Sequence, residues 1–333
     1  MEGIQHRMFE VNGINIHIAE KGKGPVILFL HGFPELWYSW RHQILALSNM
    51  GYRTVAPDLR GYGDSDIPES VDSYTCFHIV GDLVELIDVL DPHERNVFVV
   101  GHDWGAVLAW FLCPFRPDKV KALVNLSVPF LRFDRNIKPV ELWRAYYGSD
   151  HYISRFQEYG EIEGELAWVG TDRVEKEFLT DFPVLLPKGK LFKRPLDEPI
   201  TLPSWLSEEE ANYYVTQFQK TGFTGPLNFY RNLDRNWELL KPWVGCKIET
   251  PAKFMMGDKD LVYHMPGMKD YIHNGGFQED VPGLMEVVVL EGVDHFISME
   301  KPSEVNQYIF DFFSHFIEPK KKEPSAVCFK PSL

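Results

Sequence analysis

The residues with the clearest chemical potential lie in the segment Gly101-His102-Asp103-Trp104-Gly105-Ala106. This segment follows an apolar, strand-like run at 97–100 and opens an apolar helical run at 107–112. The small residues in it permit a sharp turn from strand to helix, which exposes the central side chain, Asp103, above the sheet. The amino end of the helix then points at that side chain. The alternative is that Asp103 only caps the helix, because aspartate is favoured at that position.

An aspartate at the centre of such a turn predicts a particular kind of reaction. The hydrolases that use this turn for acyl transfer carry serine there, in a Gly-x-Ser-x-Gly pattern that occurs nowhere in this chain. A carboxylate is already ionised at neutral pH and can attack carbon directly. Asp103 therefore suits displacement at a saturated carbon.

A second candidate loop, His31-Gly32-Phe33-Pro34, follows the apolar run 26–30. In a sheet with this kind of turn, an early loop supplies one backbone N–H to an oxyanion hole, and the residue after the nucleophile supplies another. We therefore expect the N–H groups of Phe33 and Trp104 to form that hole. The alternative is a plain turn made from glycine and proline.

Acidic and basic candidates follow the last two strand-like runs. Asp258 and Asp260 come directly after the run 253–256, and His295 follows the run 286–290. Both places are carboxyl ends of strands, where doubly wound sheets position their functional groups. The order nucleophile, acid, base matches that of known triad hydrolases. We predict that His295 is a general base oriented by Asp260 or Asp258.

These candidate residues lie at the ends of strand-like and helical segments that alternate along the chain. An Asn-Gly pair at 12–13 lies between two alternating runs and predicts an amino-terminal β-hairpin. Short apolar runs then alternate with helical patterns such as 77–90. Because the runs are continuous in apolar residues and the order is βαβα, we predict an α/β fold with a doubly wound, mostly parallel sheet.

The alternation stops in the middle of the chain. From 130 to 245 we find only helical stretches, such as 158–181 and 207–221, which are rich in aromatic and acidic residues and interrupted by a proline-rich loop. The sheet pattern then resumes. We therefore predict a first core part at 1–129, a helical cap at 130–245, a second core part at 246–319 and a flexible tail at 320–333.

Composition limits the partners that the protein can bind. The 333 residues include 34 Lys+Arg and 48 Asp+Glu, for a formal net charge of −14, and 44% are hydrophobic. Such a chain can bury a full core. Its acidic balance argues against nucleic acid and anionic membranes, which attract basic faces. No apolar run approaches the roughly 18 residues of a transmembrane helix, so we expect no membrane span.

Cofactor and compartment signals are few. We find no P-loop, no Gly-x-Gly-x-x-Gly after a strand, no His-Glu-x-x-His and no Cys/His cluster, so we expect neither a nucleotide cofactor nor a metal. The cysteines at 76, 113, 246 and 328 form no close pair and no signal peptide is evident, which predicts a cytoplasmic protein. The terminal Pro331-Ser332-Leu333 only partly matches a peroxisomal address, which is the weaker alternative.

Four motifs together resemble those of the soluble epoxide hydrolases, most closely the plant type, over about 9–317. This resemblance implies an α/β-hydrolase fold with Asp103 as nucleophile and His295 as the base that activates water. It favours Asp260 over Asp258, because the family pattern Gly-x-x-Asp-Leu-Val coincides with 257–262. The motifs are His31-Gly32-Phe33-Pro34-Glu35, Asp58-Leu59-Arg60-Gly61-Tyr62-Gly63-Asp64-Ser65, Gly101-His102-Asp103-Trp104-Gly105 and Asp294-His295-Phe296.

The resemblance also nominates residues outside the triad. The family uses two cap tyrosines that hydrogen-bond the epoxide oxygen, and the surroundings of Tyr152 and Tyr230 resemble theirs. Glu35 and His102 correspond to residues that position the hydrolytic water, although Glu35 could equally be a solvated loop charge. The implied partners are water and a small epoxide, of the fatty-acid class or an aromatic one. We expect a monomer or a homodimer.

Two other functions stay open at this point. A haloalkane dehalogenase shares the aspartate turn and the following tryptophan, but it typically carries asparagine where Phe33 stands here. A receptor on the same fold would bind a small molecule without turnover. The presence of Asp103, Asp260 and His295 together argues against the receptor.

Overall fold

The computed structural model describes residues 2–90, 96–131 and 136–317. Within them one eight-stranded sheet has the order β1-β2-β4-β3-β5-β6-β7-β8. The two pairings made by β2 are antiparallel and the remaining five are parallel, so the predicted mostly parallel sheet is confirmed. The strands are β1 Gln5–Val11, β2 Ile14–Gly22, β3 Val26–Leu30, β4 Arg53–Pro57, β5 Val97–His102, β6 Val120–Leu126, β7 Ala252–Gly257 and β8 Leu284–Leu290.

The predicted hairpin forms the outer edge of this sheet. Asn12 and Gly13 connect β1 and β2 with φ values of 49° and 76°. Positive φ at both central residues is what a two-residue hairpin turn requires. The central strands β3 and β5, by contrast, are buried along their whole length, which explains their continuous apolar sequences.

Helices surround the sheet. Alternate residues of β3 belong to two separate cores, because successive side chains of a strand point to opposite faces. Ile27 and Phe29 pack in one core with residues of α1 and α14, and Leu28 and Leu30 pack in the other with α2 and α3. The core helices are α1 Arg41–Asn49, α2 Cys76–Leu90, α3 Trp104–Phe115, and later α11 Met268–His273, α12 Gly276–Asp280, α13 Ile297–Glu300 and α14 Pro302–Ser314.

A helical segment lies between β6 and β7, where the cap is predicted. Apart from a single bridge between His151 and Leu185, its described residues contain no strand pairing. The predicted helical stretch around 158–181 is divided at Gly170, whose φ is 94°. The predicted domain boundaries stay predictions, and the tail lies outside the described residues. The helices are α4 Pro139–Tyr147, α5 Tyr152–Arg155, α6 Glu161–Val169, α7 Thr171–Thr180, α8 Glu208–Thr221, α9 Thr224–Arg231 and α10 Leu233–Leu239.

The described part of the chain contains three cysteines and no disulfide. Cys76, Cys113 and Cys246 are free thiols, and Cys328 and the terminal tripeptide lie outside the described residues. Among the helices of the described ranges, none is at once long and apolar enough to cross a bilayer.

Candidate active site

Asp103 occupies the turn between β5 and α3 with a φ of 50° and a ψ of −118°. Residues other than glycine rarely adopt a positive φ, and such strain often marks functional turns. The tight turn needs Gly105, because a Cβ there would lie 2.0 Å from the carbonyl oxygen of Leu30. The Asp103 side chain makes no hydrogen bond that caps α3. Its carboxylate is thus available to groups from other loops.

The loop after β3 supplies the first of these groups. The Phe33 N–H donates to Asp103 Oδ1 over 2.8 Å. Only glycine fits before it, because a Cβ on Gly32 would lie 2.3 Å from the Asp103 Cβ. The Phe33 N–H therefore stands beside the predicted nucleophile, as an oxyanion-hole donor must. The matching role of the Trp104 N–H, at the start of α3, stays a prediction.

His295 lies between two carboxylates. Its Nδ1 is 3.0 Å from Asp260 Oδ2, and its Nε2 is 3.7 Å from Asp103 Oδ2. Asp260 is completely buried, and its other oxygen accepts the Val262 N–H, which fixes the carboxylate in place. Asp258 instead accepts the Gly292 N–H over 2.7 Å. The structure thus brings Asp260, and not Asp258, to the imidazole.

The two acids determine the charge of this imidazole. Burial alone would lower the pKa of His295, but the charges of Asp260 and Asp103 and their contacts raise it well above its usual value. Burial alone would raise the pKa of Asp103, but the neighbouring His295 lowers it. At neutral pH the resting site therefore holds a carboxylate opposite an imidazolium.

Glu35 and His102 form a second buried pair. His102 Nδ1 lies 2.6 Å from Glu35 Oε2, and neither side chain is exposed. Burial would raise the pKa of Glu35, but His102 lowers it. The other oxygen of Glu35, Oε1, has no partner among the described residues. Glu35 is therefore not a solvated loop charge.

The pair of Glu35 and His102 also contacts the backbone of His295. His102 Nε2 lies 2.8 Å from the carbonyl oxygen of His295, and the Ser127 Oγ–H donates to the same oxygen over 2.8 Å. Ser127 was not among the predicted site residues. Its position directly after β6, at the carboxyl edge of the sheet, is the signal that could have identified it.

Tyr152 and Tyr230 face each other from α5 and α9, with ring centroids 5.9 Å apart. The Tyr230 ring lies edge-on to Trp104 at 5.1 Å and to Phe33 at 5.6 Å. Burial, followed by the negative charge of Asp103, raises the pKa of both phenols. Both are therefore neutral hydrogen-bond donors beside the two loops that hold the nucleophile.

Further aromatic rings surround this pair, and sequence analysis did not assign them to the site. The Phe33 ring lies 5.7 Å from Phe156 and 5.6 Å from Phe178, and the Tyr152 ring lies 5.0 Å from Phe182. Phe178 and Phe182 are four residues apart, a spacing that in sequence is equally typical of ordinary helix packing. Part of the aromatic content of the chain thus forms an apolar wall around the tyrosines.

One group in the described part of the chain has a spacing suited to a cation. The ligand atoms of His17, Asp58 and Asp64 lie within 4.8 Å of one another. Asp58 is already engaged, since it accepts the N–H groups of Trp37 and Asp64 and lies 2.9 Å from His17 Nδ1. We assign no metal to this group, because these hydrogen bonds account for its geometry.

Comparisons with known proteins agree with this geometry. Residues 25–302 match the family model of the alpha/beta hydrolase fold. Epoxide hydrolase 2 of Siraitia grosvenorii is 55% identical over 319 residues, covering 95% of this chain and 100% of the relative. An epoxide hydrolase structure from Vigna radiata is 55% identical with a TM-score of 0.91, covering 95% of this chain and 99% of that one.

A second solved structure, epoxide hydrolase I of potato (Solanum tuberosum), is 56% identical with a TM-score of 0.90. The match covers 94% of this chain and 99% of the potato chain. This chain, which holds the strained aspartate turn, the buried acid and histidine and the two tyrosines of α5 and α9, thus resembles epoxide hydrolases over nearly its whole length. The chain belongs to the α/β-hydrolase fold family and, within it, to the plant-type soluble epoxide hydrolases.

Proposed function

We propose that this epoxide hydrolase opens its substrate through a covalent ester of Asp103 and releases a vicinal diol. One observation carries the proposal: a carboxylate with a lowered pKa lies 3.7 Å from a histidine whose own pKa is raised by a second, buried acid. Such an arrangement provides a nucleophile that is ionised at rest and a histidine that can lose its proton later and then act as a base.

In the first step a carboxylate oxygen of Asp103 attacks one epoxide carbon, and the bond from that carbon to the epoxide oxygen breaks. Tyr152 and Tyr230 hold the oxygen, and one of them gives it a proton. Because the ester carries no charge, one of the two anions that raised the pKa of His295 is gone. His295 then loses its proton, which neutralises the tyrosinate, and becomes a base.

In the second step His295, held by Asp260, takes a proton from water. The resulting hydroxide adds to the ester carbonyl carbon, and the N–H groups of Phe33 and Trp104 stabilise the oxyanion. Collapse returns the carboxylate of Asp103, and the second proton of the water passes to the departing diol oxygen. The ionised Asp103 restores the raised pKa of His295, so the cycle closes.

We assign the positioning of the hydrolytic water to Glu35 and His102. The unpartnered oxygen of Glu35 supports this role, because a fully buried carboxylate oxygen needs a hydrogen-bond donor. Its other oxygen is held by His102 and by the Gly32 N–H, 2.7 Å away. The free oxygen is therefore aimed by two fixed contacts.

The aromatic wall formed by Phe33, Phe156, Phe178 and Phe182 favours an apolar epoxide. We propose the fatty-acid class, with aryl epoxides as the second candidate. Two phenolic donors suit an epoxide oxygen better than a halide, which disfavours the dehalogenase alternative. We further propose that 130–245 acts as the cap that carries both tyrosines, in a cytoplasmic monomer or homodimer.

A single-turnover reaction in heavy-oxygen water tests the covalent step. The label should enter the Asp103 carboxylate, because water attacks the ester carbonyl carbon and not the epoxide. Label that appears only in the diol would exclude the ester. The His295→Gln variant should accumulate the ester, seen as an added substrate mass on the intact protein, while turnover falls steeply.

A comparison of substrates tests the reaction class. Purified protein is offered a fatty-acid epoxide, an aryl epoxide and a haloalkane, and diol and halide are measured. We expect diol from the epoxides. Halide without diol would instead favour the dehalogenase, and saturable binding without product would favour the receptor.

A further inference from the structure

Ser127 lies directly after β6, at the edge of the sheet where the reactive groups meet, and its backbone is strained. Its φ is 67°, a value that residues other than glycine rarely adopt. The Val128 N–H donates to the carbonyl oxygen of Leu126 over 2.8 Å, which closes a three-residue turn around Ser127. Turns of this kind with a positive φ at the central residue are rare. Such strain persists only where surrounding contacts fix it, and it is frequent at functional sites.

Two hydrogen bonds fix this strained residue in place. Ser127 is completely buried, and its N–H donates to the carbonyl oxygen of Met255 on β7 over 2.8 Å. Its Oγ–H donates over 2.8 Å to the carbonyl oxygen of His295, a residue far away in the sequence. The strained turn therefore aims a hydroxyl group at the backbone of the residue that carries the imidazole.

The carbonyl oxygen of His295 has three hydrogen-bond contacts among the described residues. One comes from the Ile297 N–H over 2.9 Å, but Ile297 belongs to the same loop and cannot hold that loop to the sheet. The second comes from His102, at the end of β5, whose Nε2 lies 2.8 Å away and must carry the proton because a carbonyl oxygen only accepts. The third comes from Ser127. The side chains of His102 and Ser127 thus connect this carbonyl group to the carboxyl edge of the sheet.

The contact of Ser127 differs from the contacts of the imidazole in one respect, which is charge. The imidazole lies 3.0 Å from Asp260 and 3.7 Å from Asp103, and the second distance is too long for a firm hydrogen bond. In the proposed reaction the charge of Asp103 disappears when the ester forms, so the imidazole loses one of its two attractions just before it must act as a base. The hydrogen bond from Ser127 joins two neutral groups and therefore does not depend on that charge.

We propose that Ser127 is a positioning residue that acts through the backbone of His295 and keeps its imidazole in place while the ester is hydrolysed. The inference rests on the proposed function, because it assigns Ser127 to the second step of that reaction. Formation of the ester depends on Asp103 and the two tyrosines, whereas hydrolysis depends on a base that is aligned with water. Loss of the Ser127 hydroxyl should therefore slow the second step and leave the first step unchanged.

The test is a single-turnover experiment with the full chain and the faster of the two epoxides in the substrate comparison. Rapid quenching and mass measurement of the intact protein give the rate constants for formation and decay of the ester. Ser127→Ala should slow decay by about 10-fold and keep formation within about twofold of the natural rate, because alignment of a base affects only the step that uses it. A merely structural role would instead lower the amount of ester formed, through loss of folded protein, without changing its decay rate constant.

Two further variants separate the hydroxyl group from the strained backbone and from burial. Ser127→Gly also lacks the hydroxyl, but glycine adopts a positive φ without strain, so decay of its ester should be as slow as in Ser127→Ala. Ser298→Ala is the matched control. Ser298 is a completely buried serine three residues after His295, and its Oγ has no hydrogen-bond partner among the described residues. This control loses the same atom and should form and hydrolyse the ester at the natural rates.

The outcomes separate this inference from the proposed function. Natural decay rates in both Ser127 variants would overturn the inference, as would equal slowing of formation and decay. A defect in Ser127→Ala that Ser127→Gly lacks would assign the effect to backbone strain and would overturn it too. In these cases the ester still forms, so the proposed function stands. If the natural protein forms neither ester nor diol, the proposed function fails and this inference fails with it. Should Ser127→Ala not fold, Ser127→Gly alone decides.

Discussion

The buried polar groups that the core contributes to the site differ in charge from those that the helical segment between β6 and β7 contributes. In the core, the buried acids of the site are paired with histidines. Asp260 lies 3.0 Å from the imidazole of His295, and Glu35 lies 2.6 Å from that of His102. These contacts lower the pKa of Glu35 and raise that of His295, so that both are charged at neutral pH.

The helical segment instead contributes groups that are kept neutral. Tyr152 and Tyr230 are buried among aromatic rings, and their pKa values are raised. Glu175 is buried without any partner among the described residues, and its pKa is raised as well. The two regions therefore supply groups of different charge to the site. In the proposed mechanism the core supplies the charged groups for attack and base catalysis, and the helical segment supplies uncharged donors to the oxygen of the substrate.

The largest effect is expected when the charge of the Asp103 carboxylate is removed. The Asp103→Asn variant should lower turnover by at least about 10,000-fold, as removal of a nucleophile does in other covalent enzymes. Steady-state diol formation measures it. Asp258→Asn is the matched control, since the Asp258 carboxylate accepts the Gly292 N–H and does not hold His295, and this variant should keep most of the activity. Comparable losses in both variants would contradict the assignment of Asp103.

A smaller effect is expected when the hydroxyl groups of Tyr152 and Tyr230 are removed. Tyr152→Phe and Tyr230→Phe should each slow formation of the ester by about 10- to 100-fold, and the double variant by about 1,000-fold or more, as for other general acids. Stopped-flow kinetics of ester formation measures this step. Tyr159→Phe, at a tyrosine that is 65% exposed, is the control. A double variant that forms the ester at the natural rate would remove the tyrosines from the mechanism.

The third prediction concerns stability. Because the pKa of Glu175 is raised on folding, the folded state holds that proton more tightly than the unfolded chain, and stability falls as pH rises above the usual glutamate range. Glu175→Leu removes this penalty. It should stabilise the protein by about 1 to 3 kcal/mol, with a larger gain at pH 8 than at pH 5. Urea unfolding at both values measures the gain, and a loss at pH 8 would contradict it.

The smallest expected effect concerns the pKa of the His295 imidazole. In Asp103→Asn the imidazole of His295 keeps Asp260 but loses its second anion, so the pKa of His295 should fall. Its ring resonances, followed by NMR across pH in both proteins, measure the change. An unchanged titration would mean that Asp260 alone sets the charge of the base, and that ester formation does not release its proton.

Much of the fold could be predicted from local sequence patterns. The Asn-Gly hairpin and the buried parallel strands depend on residues that are near neighbours in the chain, and the structure contains both. The sequence pattern predicts one helical stretch at 158–181, whereas Gly170, with its positive φ, divides it into α6 and α7. A single glycine is a weak signal in sequence, because helices tolerate some glycines.

Local sequence specifies the reactive groups at the strand ends: an aspartate in a strand-to-helix turn, and an acid and a histidine after later strands. These features are local, since the turn and the strand end place each side chain. Position after a strand leaves both Asp258 and Asp260 possible, the family pattern favours Asp260, and the tertiary contact brings Asp260 to His295. The burial of Glu175 without a hydrogen-bond partner among the described residues is visible only in the folded chain. Both outcomes depend on packing between segments far apart in the chain, and residue types alone do not specify such contacts.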